Sequence, residues 1–139
     1  MVSRVLVPMD DSETAEQALE HALEVYPSAE ITVVHVVGGA SSMMGQAASL
    51  ALEPDTEEAV AERAEPVLDR AREIASAQGA EIATDVLAGR PAKEIVERAE
   101  AFDVVVVGSH GGSLFDRLFV GDVAKSVFDD CPVTATVVR

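Results

Sequence analysis

The most informative part of the sequence is Asp103-Val104-Val105-Val106-Val107-Gly108-Ser109-His110-Gly111. Its unbroken valine run is the most apolar part of the chain, and such a run predicts a central strand covered on both faces. Glycine-rich sequence follows at once, and glycine lets the backbone turn tightly and approach a ligand closely. The stretch therefore predicts an interior strand that ends in a loop suited to a bound group.

Short β-branched runs alternate with helical patterns on both sides of this stretch, which is typical of a parallel sheet built from βαβ units. The predicted strands are Arg4–Val7, Ile31–Val37, Glu81–Leu87, Asp103–Val107 and Val133–Val138. The predicted helices are Ser12–Val25, Thr56–Gln78, Pro91–Ala101 and Asp122–Asp129. Pro66 is expected to kink or split the second helix, and Gly79 to end it. We predict one α/β domain over residues 1–139, with a Rossmann-like open sheet of five parallel strands and helices on both faces.

The charge of the chain is strongly acidic, with 25 Asp and Glu against 10 Lys and Arg and a net charge of −15. This balance argues against a nucleic-acid partner, because phosphate binding needs a basic surface. It favours a salt-rich cytoplasm in which counterions screen the repulsion, and acidic solvation of an ordinary surface is the alternative.

A cytoplasmic location is expected from three features. No run of about 18 apolar residues is present to span a membrane. The N-terminus reaches Asp10 and Asp11 too soon for a signal peptide. A single cysteine, Cys131, cannot form an internal disulfide, which agrees with a reducing compartment.

The candidate site follows the first and fourth strands, because ligands of open parallel sheets bind beyond the carboxyl ends of strands where the strand order reverses. The segments that leave these strands are Pro8-Met9-Asp10-Asp11-Ser12 and Gly108-Ser109-His110-Gly111. The second belongs to a longer pattern, Gly108-x2-Gly111-x9-Gly121, placed between a buried strand and a helix start. Backbone N–H groups at such a helix start favour an anion, so the pattern indicates phosphate binding.

Two further parts of the chain belong with these segments: the strand end His35-Val36-Val37 and the turn Ala88-Gly89-Arg90-Pro91. Together, the four parts resemble the universal stress protein family, and the resemblance extends over essentially the whole chain. The resemblance implies strand order 3-2-1-4-5, a homodimer, and a pocket for ATP or AMP, with or without Mg²⁺. It implies that Asp10 lies at the ribose and adenine. It also implies that the base is walled by Pro8, Val36 and Val107, and that the phosphate end comprises Gly108, Ser109, Gly111, Gly121, Asp122 and Val123.

One position departs from the family pattern: Asp122 follows the third glycine where ATP-binding members have Ser or Thr. A carboxylate only accepts hydrogen bonds, and its charge opposes a phosphate. Arg90, Arg117 and Lys125 remain as phosphate partners. Binding of adenosine or AMP is therefore better supported than binding of a triphosphate.

The function expected is that of a nucleotide-binding, non-enzymatic stress-response regulator. Asp10 is interpreted as a ligand residue, with a helix cap as the alternative; Ser12 is expected to cap the helix. His110 invites a catalytic role, but the sequence identifies no partner carboxylate for it. The alternative functions are a dimeric interaction module that has lost triphosphate binding and a slow ATPase.

The C-terminal strand Val133–Val138 is expected to form the dimer interface. It contains no Lys, Pro or charge to protect an exposed sheet edge. The same strand of a second copy would pair with it antiparallel across a two-fold axis.

Overall fold

The computed structural model describes residues 2–37, 57–109, 127 and 129–139. The strands there are β1 (Arg4–Pro8), β2 (Glu30–Val37), β3 (Ala83–Ala88), β4 (Val104–Gly108) and β5 (Thr134–Val138). The helices are α1 (Glu13–Val25), α2 (Glu57–Ala77) and α3 (Pro91–Ala99). Residues 127, 129 and 130 are also helical, within and just beyond the predicted last helix, whose residues 122–126 and 128 lie outside the described part.

The five strands form one sheet of order β3-β2-β1-β4-β5, with every neighbouring pair parallel. This confirms the predicted fold class and strand order. All five residues of β4 are buried. The middle strand of the sheet is nevertheless β1, and β4 lies between β1 and the edge strand β5. Leu6 of β1 is level with Thr32 of β2 and Val105 of β4.

Helices cover both faces of the sheet, and each face has its own apolar cluster. The first cluster joins alternate strand residues such as Val5, Val33 and Val106 to the buried faces of α1 and α2. The second joins the residues between them to α3 and Val127. The members of this second cluster are Leu6, Val34, Ile95, Ala99, Phe102, Val105, Val107 and Val127. Valines therefore pack on both faces of the sheet.

Pro66 was expected to kink or split helix α2, and the helix runs without a break through it, so the expectation of a split was wrong. Pro66 is exposed, whereas Ala64 and Leu68 on either side are buried in the first cluster. Packing of that apolar face holds the helix together in spite of the missing N–H. Gly79 ends the helix as predicted: it has φ +70°, and Ala80 N donates to Ala75 O at 2.9 Å.

The N-terminal ends of β1 and β4 are joined by Asp103. Its Oδ2 accepts hydrogen bonds from Ser3 N at 2.9 Å and Arg4 N at 3.0 Å. These two bonds hold the pKa of Asp103 below that of an ordinary aspartate. The Arg4 guanidinium lies 4.7 Å from the centre of the Phe102 ring. Both strands are thus aligned at this end, and they run together toward the opposite end, where the candidate site lies.

Candidate functional site

The strand order reverses at β1, because the chain continues to β2 on one side of it and returns to β4 on the other. The carboxyl ends of β1 and β4 therefore border the crevice in which ligands of open α/β sheets bind. Two connections leave this edge in the described residues: Met9–Ser12, between β1 and α1, and Ser109, after β4.

The β1–α1 connection is a turn held by its own side chains. Asp10 Oδ1 accepts from Ser12 N at 2.8 Å, and Ser12 Oγ accepts from Ala15 N at 3.2 Å. Ser12 is the N-cap of α1, as predicted, and is 1% exposed. Asp10 is half-buried and orders the turn before the helix, so the alternative that it caps α1 is wrong.

Gly108 brings the end of β4 against the first turn of α1. A Cβ on this residue would lie 2.7 Å from the carbonyl carbon of Thr14 and 2.9 Å from Ala15 N. Only glycine tolerates backbone atoms this close, since a real Cβ essentially never has such neighbours. Asp10 and Gly108 therefore flank the start of the same helix, one before it and one against it.

The apolar residues expected around an adenine base differ in their exposure. Pro8 and Val36 are half-buried, and Val36 lies two residues beyond Val34, the partner of Pro8 in the sheet. Val107 is 4% exposed, because it packs in the second cluster with Val127. Pro8 and Val36 thus leave apolar surface exposed near the carboxyl ends of β1 and β2, whereas the Val107 side chain is almost wholly buried.

The expected phosphate residues are described only in part. Gly108 is buried and Ser109 is half-buried, and Ser109 N donates to Val138 O at 2.8 Å. The other four, Gly111, Gly121, Asp122 and Val123, lie outside the described residues, as do His110, Arg117 and Lys125. Arg90 is exposed at the N-cap of α3, after the edge strand β3. In the sheet, β3 is two strands away from β1, which carries the Asp10 turn.

One contact at this edge was missed from the sequence. His35 Nδ1 lies 2.7 Å from the carbonyl oxygen of Met9, and Met9 N donates to Val34 O at 2.8 Å. The signal was a single histidine within an otherwise apolar strand end, and such a residue by itself indicates no more than a place in the strand. In residues 2–37, 57–109, 127 and 129–139, no three His, Cys, Asp or Glu side chains are grouped so as to hold a metal ion.

An open parallel sheet of order β3-β2-β1-β4-β5, with helices on both faces, defines a Rossmann-like α/β protein. The model of the universal stress protein family matches residues 1–139, and the chain belongs to this family. Universal stress protein MJ0531 of Methanocaldococcus jannaschii is 31% identical over 139 aligned residues, which cover 96% of this chain and 81% of the relative.

No helix among the described residues is both long and apolar enough to cross a bilayer.

Two solved structures similar to this chain are complexes with adenine nucleotides. A universal stress protein in complex with cAMP has a TM-score of 0.72 and 20% identity, and covers 99% of this chain and 97% of its own. The universal stress protein of Archaeoglobus fulgidus in complex with dAMP has a TM-score of 0.69 and 22% identity, and covers 100% and 98%. These likenesses confirm the fold.

Proposed function

We propose that this protein binds an adenine nucleotide in the crevice between β1 and β4, and that it acts as a non-enzymatic regulator in the cytoplasm. The observation on which the proposal rests is the meeting of the Asp10 turn and Gly108 at the start of α1. The carboxylate of Asp10, which can accept a hydrogen bond from a ribose hydroxyl, lies just before this helix start, and Gly108 lets the end of β4 lie close against it. Half-buried Pro8 and Val36 supply apolar surface for a base at the same edge.

Family relatives support the choice of ligand, since two solved members contain cAMP and dAMP. ATP or AMP, with or without Mg²⁺, is the ligand proposed for this chain. The active form is proposed to be a homodimer through the C-terminal strand β5, which pairs with β4 and is the last strand of the sheet that the described residues form.

Titration calorimetry at high salt with AMP, and with ATP in the presence and absence of Mg²⁺, tests the binding. We expect Asp10→Ala to weaken AMP binding roughly tenfold or more, because the loss of a charged hydrogen-bond partner costs about 1.5–3 kcal/mol. Asp11→Ala is the matched control, since Asp11 is the exposed neighbour in the same turn. Absence of binding by the unchanged protein contradicts the proposed function.

Asp122 favours a second candidate, a dimeric module that binds adenosine or AMP but not a triphosphate. Its carboxylate replaces a hydroxyl that could donate to a phosphate oxygen. AMP binding with no detectable ATP binding supports this candidate, and ATP binding as tight as AMP binding or tighter contradicts it. Phosphate release from bound ATP would instead identify a slow ATPase.

A further inference from the structure

The side chain of His35 holds the last peptide group before Asp10. Its Nδ1 lies 2.7 Å from Met9 O, and a carbonyl oxygen only accepts hydrogen bonds, so Nδ1 bears the proton. Met9 O belongs to the peptide group that links Met9 to Asp10. The histidine therefore fixes the orientation of the peptide plane from which Asp10 extends.

Met9 is held firmly enough to transmit this constraint. Its N–H donates to Val34 O at 2.8 Å, so both backbone polar atoms of Met9 are bonded to consecutive residues of β2. Its side chain is 4% exposed within the first cluster. On the other side of Asp10, the Ser12 N–H fixes the carboxylate oxygen Oδ1. The position of the Asp10 side chain thus depends on two contacts, one on each side of it in the chain. The contact on the Met9 side is made by the side chain of His35 in β2.

We infer that His35 is a positioning residue for nucleotide binding, which acts through Met9 on the carboxylate of Asp10. The inference rests on the proposed function, because it assumes that Asp10 contacts the ligand. The location of His35 fits this role: it is half-buried and flanked at two-residue spacing by Val33 and Val37, both in the first cluster. An apolar residue would pack there equally well, but it would leave Met9 O without this donor.

Two substitutions separate the hydrogen bond from the rest of the imidazole. In His35→Asn the side-chain amide N–H lies near the place of Nδ1, so the bond to Met9 O is retained. In His35→Gln the amide reaches one atom further, near the place of Nε2, and the bond is lost. We expect AMP affinity to fall by less than about threefold in the Asn variant and by roughly three- to tenfold in the Gln variant. Equal affinities for the two variants overturn the inference.

The double variant Asp10→Ala with His35→Gln tests whether His35 acts through Asp10. If it does, His35→Gln should weaken AMP binding no further once the Asp10 carboxylate is absent. The same losses are expected for adenosine, because the constraint acts on the nucleoside end of the site. Urea unfolding of each variant shows that binding is compared among folded proteins. Additive losses in the double variant overturn the inference but not the proposed function, whereas no AMP binding by the unchanged protein overturns both.

Discussion

At the scale of single residues, Gly108 is the position where a substitution should do most damage to the site. Its hypothetical Cβ meets main-chain atoms of Thr14 at 2.7 and 2.8 Å, and main chain cannot rotate away as a side chain can. Gly108→Ala must therefore move the first turn of α1 away from β4. We expect a loss of about 1–3 kcal/mol in unfolding free energy, measured by urea denaturation.

Gly79 provides a matched control for this prediction. It has φ +70°, and a Cβ added there would have no atom within 4 Å, so Gly79→Ala introduces backbone strain without a steric clash. That strain costs about 1 kcal/mol and lies far from the nucleotide crevice. We expect Gly79→Ala to lower stability and leave AMP affinity unchanged, and Gly108→Ala to lower both. Equal AMP affinity in the two variants would show that the β4–α1 contact does not shape the site.

At the scale of elements, the two edges of the sheet differ in their backbone donors. Gly89 N donates to Val37 O, and N–H groups alternate in direction along a strand, so Val86 N points away from β2. That N–H donates to Asp85 Oδ1 at 2.9 Å, and Asp85 is in turn paired with Arg98 of α3. A side chain thus occupies an outward donor on β3, one of the ways in which proteins protect exposed edges.

At the other edge of the sheet, the outward-facing backbone groups of β5 lead to a prediction about the dimer. Ser109 N donates to Val138 O, so Val138 and Thr136 direct their backbone polar groups toward β4, while Val137 directs its own outward. Val137→Pro removes an outward N–H and should give a monomer in light scattering at micromolar concentration. Val137→Ala keeps that N–H and should remain dimeric. A monomeric unchanged protein would refute the C-terminal interface.

The elements also show how far the sequence could predict this fold and site. The hydrophobic periodicities predicted the described helices to within one or two residues of their observed limits, because burial dictates both. The strand order, in contrast, came from the family resemblance and is confirmed by the sheet. The continuity of α2 through Pro66 was not predictable, since it depends on the packing of Ala64 and Leu68 against the sheet. The bond between His35 and Met9 joins residues 26 apart, and no local pattern specifies such a contact.

At the scale of the whole molecule, repulsion among carboxylates opposes the folded state. The net charge is −15, and three of the arginines, Arg70, Arg72 and Arg98, are already paired with Glu16, Asp69 and Asp85. The first of these pairs joins α2 to α1, and its hydrogen bond raises the pKa of Arg70. Water and salt screen exposed pairs of this kind, so they offset little of the repulsion.

Added salt should therefore stabilise this protein. Raising NaCl from about 10 mM to about 1 M shortens the screening length from roughly 30 Å to 3 Å, which removes repulsion between distant carboxylates. We expect the melting temperature at pH 7 to rise by several degrees, since about 1 kcal/mol corresponds to roughly 4 °C for a chain of this size. Repeating the measurement near the sequence pI of about 4.3 is the control, because the net charge there is close to zero. If screening is the cause, the rise should nearly vanish at that pH. An equal rise at both pH values would mean that salt acts through apolar burial instead, and a melting temperature independent of salt at pH 7 would rule out the repulsion altogether.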